Sequence, residues 1–476
     1  MATTPCDLLI FNIGQLVTNA DAPRYGQRPA TDDEANTEGE ANANTDGAAD
    51  TDGPDGPDGG ELELELDDSL GPRFGEALGW LGLLDDAAIA IADGEVIAVG
   101  HSDRLQSRFE AQHAIDAGRR LVTPGLIDPH THPVFARHRA DEFELRIQGV
   151  SYEEIAGRGG GILNSARRLR ELPEAELLAH TRGVFDRFLQ HGTTTIEAKS
   201  GYGLTTASEL ASLRVIRALA DTHPLEAAPT FLGAHEVPPE FRDGAIKKRD
   251  EYLDLVINEM LPRVQAEGLA EYIDVFCERG VFSAAQAERV LRAGIAAGLA
   301  ARIHTDEFAD VGGTATAAAV GARTADHLHV TTHAGIKALM DGGVMPVLLP
   351  GVPFFLGQRD TAPAREMIRA GLPIVLATDY NPGSAHIISQ PFIMSLACLH
   401  LGLTPAEALV ACTVNAAFSI DRGDRLGRLL PGFDADVVIW DAAEYQELAY
   451  NVAINSARDV FKAGAPVVGE HARDLH

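Results

Sequence analysis

Residues 121–132 read Leu-Val-Thr-Pro-Gly-Leu-Ile-Asp-Pro-His-Thr-His, an apolar run that ends in two histidines separated by a single threonine. The apolar part predicts a buried β-strand over residues 121–128. Because side chains two apart in an extended segment face the same way, His130 and His132 can point at one metal ion. Such a pair often arises by chance, but its position at the end of a strand is typical of an enzyme site in a barrel.

Seven more apolar stretches follow in the chain, and segments with helical periodicity, such as 207–220 and 284–297, lie between them. The later strands are predicted at residues 193–198, 228–234, 272–276, 301–304, 325–328, 344–349 and 373–378. Eight β/α units over this length are typical of a (β/α)8 TIM barrel, an α/β fold, which we assign to residues 121–424. A doubly wound sheet is the alternative, and the lack of a GxGxxG motif at a first βα turn disfavours it.

Sequence rich in β-forming residues at both chain ends predicts a second, smaller domain. Residues 6–18 indicate a pair of strands, and Asp93-Gly94 lies between two such runs, as in a tight hairpin. Strand-like sequence returns after Arg425. We therefore expect one small β-sandwich beside the barrel, built from residues 1–18, 81–120 and 425–476.

An acidic segment separates the first strands from the hairpin. Residues 31–70 contain fifteen Asp or Glu and neither Lys nor Arg, and Asp-Gly-Pro steps recur near residues 52–60. Such steps disfavour regular structure. We therefore expect residues 19–80 to form a flexible acidic insertion that leaves the barrel motifs intact.

The whole chain has a net charge of −31, with 5 Lys against 34 Arg. This charge disfavours nucleic acid and anionic membranes as partners. A surface rich in carboxylates and poor in lysine suggests adaptation to a high-salt cytoplasm, and an ordinary acidic enzyme with a disordered insert is the alternative. Four cysteines without a CxxC pair, no membrane-length apolar run and no secretory signal at the start of the chain favour a reduced, cytoplasmic location.

Histidines and one aspartate stand at the ends of later predicted strands. His235 follows strand three, His304 ends strand five, His327 lies in strand six and Asp379 follows strand eight. Each residue alone is equally well explained by helix capping or a structural role, but a barrel would gather all of them at one mouth. A hydrolytic site with one Zn or Fe ion needs protein ligands and a position open to water, and a suitable set of three imidazoles and a carboxylate is His130, His132, His304 and Asp379.

Polar residues near these ligands can supply the remaining chemistry. Glu307 can act as a general base, although an acid at a helix N-terminus is the alternative explanation, and His327 can stabilise an oxyanion or move a proton. Arg139 lies in the polar loop after the histidine pair and offers a bidentate partner for a substrate carboxylate, unless it is simply solvated. The glycines of residues 197–204 and the segment Asn381-Pro382-Gly383-Ser384 allow the backbone to approach a ligand closely.

These motifs resemble those of imidazolonepropionases, a family within the amidohydrolase superfamily. Their order and spacing match from about residue 91 to about residue 467, through DPHTHPVF, EFELRIQGVSYEEI, GGGI, EAKSGYGL, FLGAHEVP, HTDEF, ADHL and ATDYNPGS. The histidine pair and the final aspartate are shared across the superfamily, whereas SGYGL, AHEVP and DYNPG are more specific. The acidic insertion, Pro133 and Arg137-His138 depart from the family pattern.

The resemblance implies hydrolysis of 4-imidazolone-5-propanoate to N-formimidoyl-L-glutamate, a step of histidine degradation. It implies a small anionic heterocyclic substrate, one Zn or Fe ion per subunit and a homodimer. It assigns proton handling to Glu307 and His327, and substrate contacts to Arg139, Tyr202, His235, Asn381, Gly383 and Ser384. The alternatives are another amidohydrolase, such as a purine or pyrimidine deaminase, and a non-catalytic assembly protein on the same scaffold.

Overall fold

A computed structural model describes residues 3–21, 70–150, 154, 160–243 and 246–472 of the chain. Most of the predicted acidic insertion, residues 22–69, lies outside the described residues. Among the described residues, no helix is both long and apolar enough to cross a membrane.

Eight parallel strands form a barrel and follow one another around it in chain order. The strands are Leu126–Thr131, Thr193–Lys199, Glu226–Ala234, Tyr272–Cys277, Ala300–Thr305, Thr324–His327, Met345–Leu348 and Val375–Leu376. Their residues are almost all buried, because helices cover the outer face of a parallel barrel and side chains fill its inside. The predicted TIM barrel is confirmed.

The seam between the first and last strands is closed by backbone pairing and one buried carboxylate. Thr131 pairs with Tyr380, and the His132 backbone N–H donates to the Tyr380 carbonyl oxygen at 2.9 Å. Asp128 accepts hydrogen bonds from the Thr378 backbone N–H at 3.0 Å and from the Thr378 hydroxyl at 2.5 Å. These contacts extend the seam beyond the short eighth strand and bring both ends of the barrel sequence to the same mouth.

The predicted strand over residues 121–128 is wrong in one respect, because Gly125 divides it between two sheets. Leu121–Pro124 belongs to the sheet of the small domain, and Leu126–Thr131 is the first barrel strand. A Cβ atom on Gly125 would lie 2.2 Å from the Thr194 hydroxyl oxygen. Glycine therefore permits the close approach of the chain to the second barrel strand where it passes between domains.

Helices follow most barrel strands and cover the outside of the barrel. Up to the eighth strand they are Ala140–Ile147, Ile162–Glu171, Glu174–Gln190, Thr206–Ala220, Arg249–Leu255, Leu261–Glu267, Ala284–Ala296, Gly313–Val320, His333–Gly342, Gly351–Leu356 and Ala364–Arg369. Beyond the eighth strand they are Gln390–Leu396, Pro405–Ala411, Val414–Ser419 and Gln446–Tyr450. The helices predicted at 207–220 and 284–297 are confirmed, and each begins after a side chain that caps its first turn, Thr205 and Ser283.

The small domain is one eight-stranded sheet built from both chain ends. Its strands are Thr4–Val17, Leu83–Ala92, Glu95–His101, Phe109–Asp116, Leu121–Pro124, Val437–Trp440, Ala457–Lys462 and Ala465–Val468, and Ser102–Arg108 is a short helix beside them. Ile10, Ile89, Val437 and Phe461 share one hydrophobic core although they come from opposite ends of the chain. The predicted small β domain built from both chain ends is therefore confirmed, and its eight strands form one sheet.

The strand pair predicted over residues 6–18 is wrong, because Thr4–Val17 is a single strand. Asn12 has a φ of 53°, and the pairing with Leu83–Ala92 shifts register between Ile10 and Ile13. Asparagine tolerates this left-handed conformation, so Phe11-Asn12 forms a bulge within the strand instead of a turn between two strands.

The two ends of the segment predicted as a flexible insertion are folded. The Arg73 guanidinium, which is buried, donates hydrogen bonds to the carbonyl oxygens of Asn19 at 2.5 Å and Ala20 at 2.7 Å. Asn415, from the last turns of the barrel, accepts a hydrogen bond from the Arg73 backbone N–H at 2.6 Å. Residues 19–21 and 71–80 are thus part of the folded protein. They lie outside residues 31–70, whose acidic composition led to the prediction of a flexible segment.

Glu226, at the start of the third barrel strand, joins the barrel to the small domain. Its carboxylate lies 3.1 Å from the Lys462 ammonium and 3.1 Å from the Arg422 guanidinium, and it also pairs with Arg425. Burial alone would raise the pKa of Glu226, but Lys462 and Arg425 outweigh it and lower the pKa to about 2. The folded state therefore favours the ionised carboxylate.

Replacing this carboxylate should destabilise the protein in a pH-dependent way. Because the folded pKa of Glu226 lies below its ordinary value of 4.5, its contribution is present above that value and is lost as the pH falls toward about 2. Glu226→Gln should therefore lower the free energy of unfolding by about 2 kcal/mol at neutral pH, measured by urea denaturation, and by much less in acid. Glu288→Gln, which removes an exposed helical ion pair, is the matched control and should have little effect. Equal effects of the two substitutions at neutral pH would contradict this role.

Candidate metal centre and active site

A cleft with about 510 Å³ of empty space, which includes open solvent at its entrance, lies at the mouth formed by the carboxyl ends of the barrel strands. Apolar side chains of Ile162, Phe276, Phe308 and Leu356 form part of its wall. The predicted site residues that line it are His132, Arg139, Tyr202, His235, His304, Glu307, His327, Asp379, Asn381 and Ser384. The structure therefore brings together ten of the twelve predicted site residues, and His130 and Gly383 lie just behind this lining.

The four predicted metal ligands converge at the bottom of the cavity. Asp379 Oδ1 lies 3.4 Å from His130 Nε2 and 3.4 Å from His132 Nε2. His304 Nε2 lies 3.3 Å from His132 Nε2. A second arrangement shares two of these residues, because ligand atoms of His130, His304 and His327 also lie within 4.8 Å of one another.

The chemistry of this cluster fits a metal cation. His130 Nε2 is buried without a hydrogen-bond partner among the described residues. Burial holds the pKa of both imidazoles well below 6.5. The nearby Lys199 adds to this effect at His130, and the nearby His304 adds to it at His132. Both rings are therefore neutral, with lone pairs free for coordination, while burial raises the pKa of the Asp379 carboxyl to about 7. A divalent cation would offset the cost of an ionised carboxylate here, and nitrogen with oxygen donors suits Zn or Fe.

Glu307 and His327 face each other beside the cluster. The Glu307 carboxylate lies 3.7 Å from His327 Nδ1. Burial, together with the nearby carboxylates of Asp379 and Glu278, raises the pKa of Glu307 well above 4.5. His327 has a φ of 82°, an uncommon conformation for a residue with a side chain, and such strain is concentrated at functional sites. This pair can exchange a proton with a ligand in the cavity.

Arg139 brings a buried cation to the cavity wall. Its guanidinium lies 3.5 Å from Glu142, and its Nε atom is buried without a partner among the described residues. A Cβ atom on Gly383 would lie 1.4 Å from Arg139 Nη2. The structure therefore places Gly383 against Arg139, where the absence of a side chain makes room for the guanidinium.

Asn381 organises the loop that carries Asp379. Its side-chain N–H donates to Asp379 Oδ2 at 3.0 Å, and its side-chain oxygen accepts the backbone N–H groups of Gly383 at 2.7 Å and Ser384 at 2.8 Å. Such a side-chain-to-backbone turn is a common use of asparagine. Asn381 thus orients a candidate metal ligand and shapes the adjoining cavity wall.

His235 and Tyr202 form the wall opposite this loop. His235 Nδ1 is 2.9 Å from the Gly201 carbonyl oxygen, and its ring stacks on His132 at 5.2 Å between centroids. Burial, with the neighbouring His132, holds the pKa of His235 well below 6.5. A neutral ring that donates its Nδ1–H to Gly201 keeps a lone pair on Nε2, which can accept a hydrogen bond from a ligand.

Comparison with known proteins assigns the family. The amidohydrolase family matches residues 121–467. The chain is 48% identical to the imidazolonepropionase of Geobacillus kaustophilus over 84% of this chain and 95% of that protein. It is 49% identical to the imidazolonepropionase of Solibacter usitatus over 83% of this chain and 94% of that protein. The chain belongs to the imidazolonepropionase family of amidohydrolases.

A solved structure with the same fold lies outside that family. The adenosine deaminase of Xanthomonas campestris, solved with bound zinc, has a TM-score of 0.63 and 19% identity, over 99% of this chain and 95% of that chain. At this identity the likeness extends to the fold. Membership of the imidazolonepropionase family does not favour the deaminase alternative.

The candidate metal centre of this imidazolonepropionase-family chain is supported by carboxylates that were not among the site residues predicted from the sequence. Asp326 Oδ2 is 2.7 Å from His130 Nδ1, and Asp274 Oδ2 is 2.9 Å from His304 Nδ1. A ring whose Nδ1–H is bonded to a carboxylate presents its Nε2 lone pair to the metal. Asp326 therefore fixes the tautomer and orientation of His130, and Asp274 lies in close contact with the Nδ1 side of His304.

Two cations lie among these carboxylates. Lys199 Nζ lies 2.9 Å from Asp274 and 2.8 Å from Glu197. Arg302 lies 3.4 Å from Asp326, and every member of the group is buried. Three carboxylates exceed two cations by one charge, and this excess favours a cation above them. The sequence signal that could have identified this group is the presence of charged residues inside otherwise apolar strands.

Loss of either supporting carboxylate should weaken metal binding. Asp326→Asn and Asp274→Asn should each lower metal affinity by about 10- to 100-fold, because the imidazole above loses its charged partner. The metal content measured after dialysis against graded chelator concentrations checks this. Asp186→Asn is the control, because Asp186 pairs with His223 in the parent protein and is half exposed. This variant should retain metal as the parent protein does. Retention equal to this control would show that the two carboxylates do not support the metal.

Proposed function

We propose that this chain hydrolyses 4-imidazolone-5-propanoate to N-formimidoyl-L-glutamate by opening a cyclic amide. The observation that carries the proposal is one cavity that holds both a metal-ligand cluster and the buried cation Arg139. The cluster suits hydrolysis of an amide, and the guanidinium suits the propanoate of this substrate. The relatives of that name, 48% and 49% identical over nearly their whole length, support the same reaction.

The proposed cofactor is one Zn or Fe ion per subunit, held by His130, His132, His304 and Asp379. When bound, the ion would lower the pKa of a water molecule and polarise the amide carbonyl. The donor atoms of these four residues already lie close together, and the neutral imidazoles of the set offer lone pairs to the ion. Their rigid placement at strand ends reduces the reorganisation that binding requires.

Glu307 and His327 are the proposed proton-handling pair. Glu307 takes a proton from the attacking water and delivers it to the ring nitrogen that leaves as the C–N bond breaks. The buried, neutral His327 donates an N–H to the oxygen on which negative charge develops. One water is added across the amide bond, which yields a carboxylate and an N-formimidoyl group.

Residues around the cluster are proposed to select the substrate. Arg139 binds the propanoate, and Gly383 makes room for the guanidinium. His235 accepts a hydrogen bond from a ring N–H through its Nε2 lone pair. The remaining proposed contacts are Tyr202, Asn381 and Ser384.

The biological setting is proposed from the family resemblance and the composition. We propose a homodimer that acts in the cytoplasm on a small anionic heterocycle. A net charge of −31 disfavours nucleic acid and anionic membranes as partners.

Product identification tests the reaction directly. Purified, metal-loaded protein should convert freshly generated 4-imidazolone-5-propanoate to N-formimidoyl-L-glutamate, identified by mass spectrometry. Release of ammonia from purines or pyrimidines, with no conversion of the imidazolone, would contradict the proposal and favour a deaminase.

Substitution of Glu307 should separate proton transfer from metal binding. Glu307→Gln keeps the shape of the side chain but removes the base, so kcat should fall by about 10²-fold or more with metal still bound. Because Glu307 acts in its ionised form and its pKa is raised, parent activity should fall with decreasing pH already above the ordinary value of 4.5. Steady-state kinetics across pH checks both statements. A loss below about threefold would move the role to another group, with His327 the next candidate.

Substitution of Arg139 should separate substrate binding from metal binding. Arg139→Ala removes the cation proposed to pair with the propanoate of the bound substrate. Loss of such a partner typically costs about 2–5 kcal/mol, so kcat/KM should fall by roughly 30-fold to several thousand-fold. Arg139→Lys should be intermediate, because an ammonium cannot form the bidentate contact. A substrate analogue without the propanoate should react poorly and be nearly indifferent to the substitution. Equal losses for both substrates would make Arg139 a structural residue.

A further inference from the structure

One buried carboxylate outside the proposed chemistry holds the glycine-containing loop of residues 200–204. Glu209 Oε2 accepts the Gly201 backbone N–H at 2.8 Å, and Oε1 accepts those of Gly203 at 2.8 Å and Leu204 at 2.7 Å. The side chain of Glu209 has no exposed surface. Hydrogen bonds to a charged acceptor are shorter and stronger than those between neutral groups, so this side chain fixes the loop firmly.

The loop needs such support because its backbone is unusual. Gly201 has a φ of 111°, and Leu204 has a φ of 56°, which costs energy for a residue with a branched side chain. A Cβ atom on Gly203 would lie 2.5 Å from Ser208 Cβ. The loop is therefore pressed against the first turn of Thr206–Ala220, where Glu209 can reach three of its N–H groups.

The same loop forms part of the cavity wall. The Gly201 carbonyl oxygen accepts the hydrogen bond of His235 Nδ1 at 2.9 Å, so one residue connects Glu209 to His235. Tyr202, the next residue, has its ring 5.3 Å from that of His235 and 5.7 Å from that of His132. A shift of the loop would therefore move two groups that face the substrate.

We propose that Glu209 is a positioning residue for substrate recognition. Glu209 holds Gly201 in place, so that His235 donates its Nδ1–H to the Gly201 carbonyl oxygen and presents Nε2 to the substrate. It also holds Tyr202 beside the His235 ring. This inference rests on the proposed function, because His235 and Tyr202 are substrate contacts only within it.

Kinetics of Glu209→Gln test the proposal. The amide keeps the size of the side chain but turns an N–H donor toward the N–H groups of the loop, so the loop should shift. A displacement of about 1 Å can cost 10²-fold in rate, and we expect kcat/KM to fall by about 10- to 100-fold, mainly through KM, with metal content unchanged. Glu407→Gln is the matched control, because Glu407 also accepts a backbone N–H at a helix start, from Thr404 at 2.7 Å, away from the cavity. It should lower stability without raising KM.

Coupling to His235 separates positioning from general destabilisation. If Glu209 acts through His235, the combined loss in Glu209→Gln/His235→Ala should be smaller than the product of the two single losses. Glu209→Asp keeps the charge with a shorter reach and should be intermediate, and it serves as the test if Glu209→Gln does not fold. A parent-like KM in a folded Glu209 variant, or fully multiplicative losses with His235→Ala, would overturn the proposal.

An NMR measurement tests the positioning whether or not the proposed substrate is correct. The imidazole Nδ1–H of His235, assigned by its absence in His235→Ala, should be protected from solvent exchange in the parent protein and exposed in Glu209→Gln. Unchanged protection would overturn the proposal even if the parent enzyme turns over. Failure of the parent protein to convert the imidazolone, with the protection lost as expected, would instead reject the proposed substrate.

Discussion

Two cations and three carboxylates lie buried together beneath the barrel mouth, and the candidate metal ligands depend on them. Arg302 lies beside Asp326 and Lys199 beside Asp274, and these contacts offset the cost of burying two negative charges in this interior. Asp326 holds His130 by its Nδ1 atom, so that its Nε2 lone pair faces the cavity, and Asp274 lies against the Nδ1 side of His304. The candidate metal centre thus depends on charges on the inner face of the strands, one layer below the residues that would touch the ion.

The strands and the loops of this site have different tasks. The strands and the residues directly after them carry the candidate metal ligands and their charged supports, and parallel pairing holds the strands rigidly. The loops carry the groups proposed to choose the substrate, and each loop is fixed by a local device. Gly383 gives space to Arg139, Asn381 closes the turn after Asp379, and Glu209 holds residues 200–204. A rigid scaffold with adjustable loops is how barrels support many reactions, and here it combines hydrolytic chemistry with recognition of an anion by an acidic protein.

The barrel and the gathering of polar residues at one mouth were predictable, because both follow from the spacing of apolar runs and the side-chain alternation of strands. Three other features were not predictable from the sequence. Gly125 divides one apolar run between two sheets because the backbone meets Thr194, a contact distant in sequence. Asp274 supports His304 because neighbouring strands pair in a particular register, with Phe276 opposite His304, and no local pattern specifies that register. Glu209 likewise resembles an ordinary acid in a first helical turn until the loop folds onto it.

Two overlapping sets of donor atoms lie within reach of one another at the cavity, so the central question is which side chains bind the metal. Anomalous X-ray scattering from crystals of the metal-loaded protein, collected at the absorption edge of the bound ion, measures this directly. We predict one peak per chain, about 2.0–2.2 Å from Nε2 of His130, His132 and His304 and from an oxygen of Asp379. A peak bound by His130, His304 and His327, with His132 and Asp379 left free, would contradict the proposed centre and the role assigned to His327.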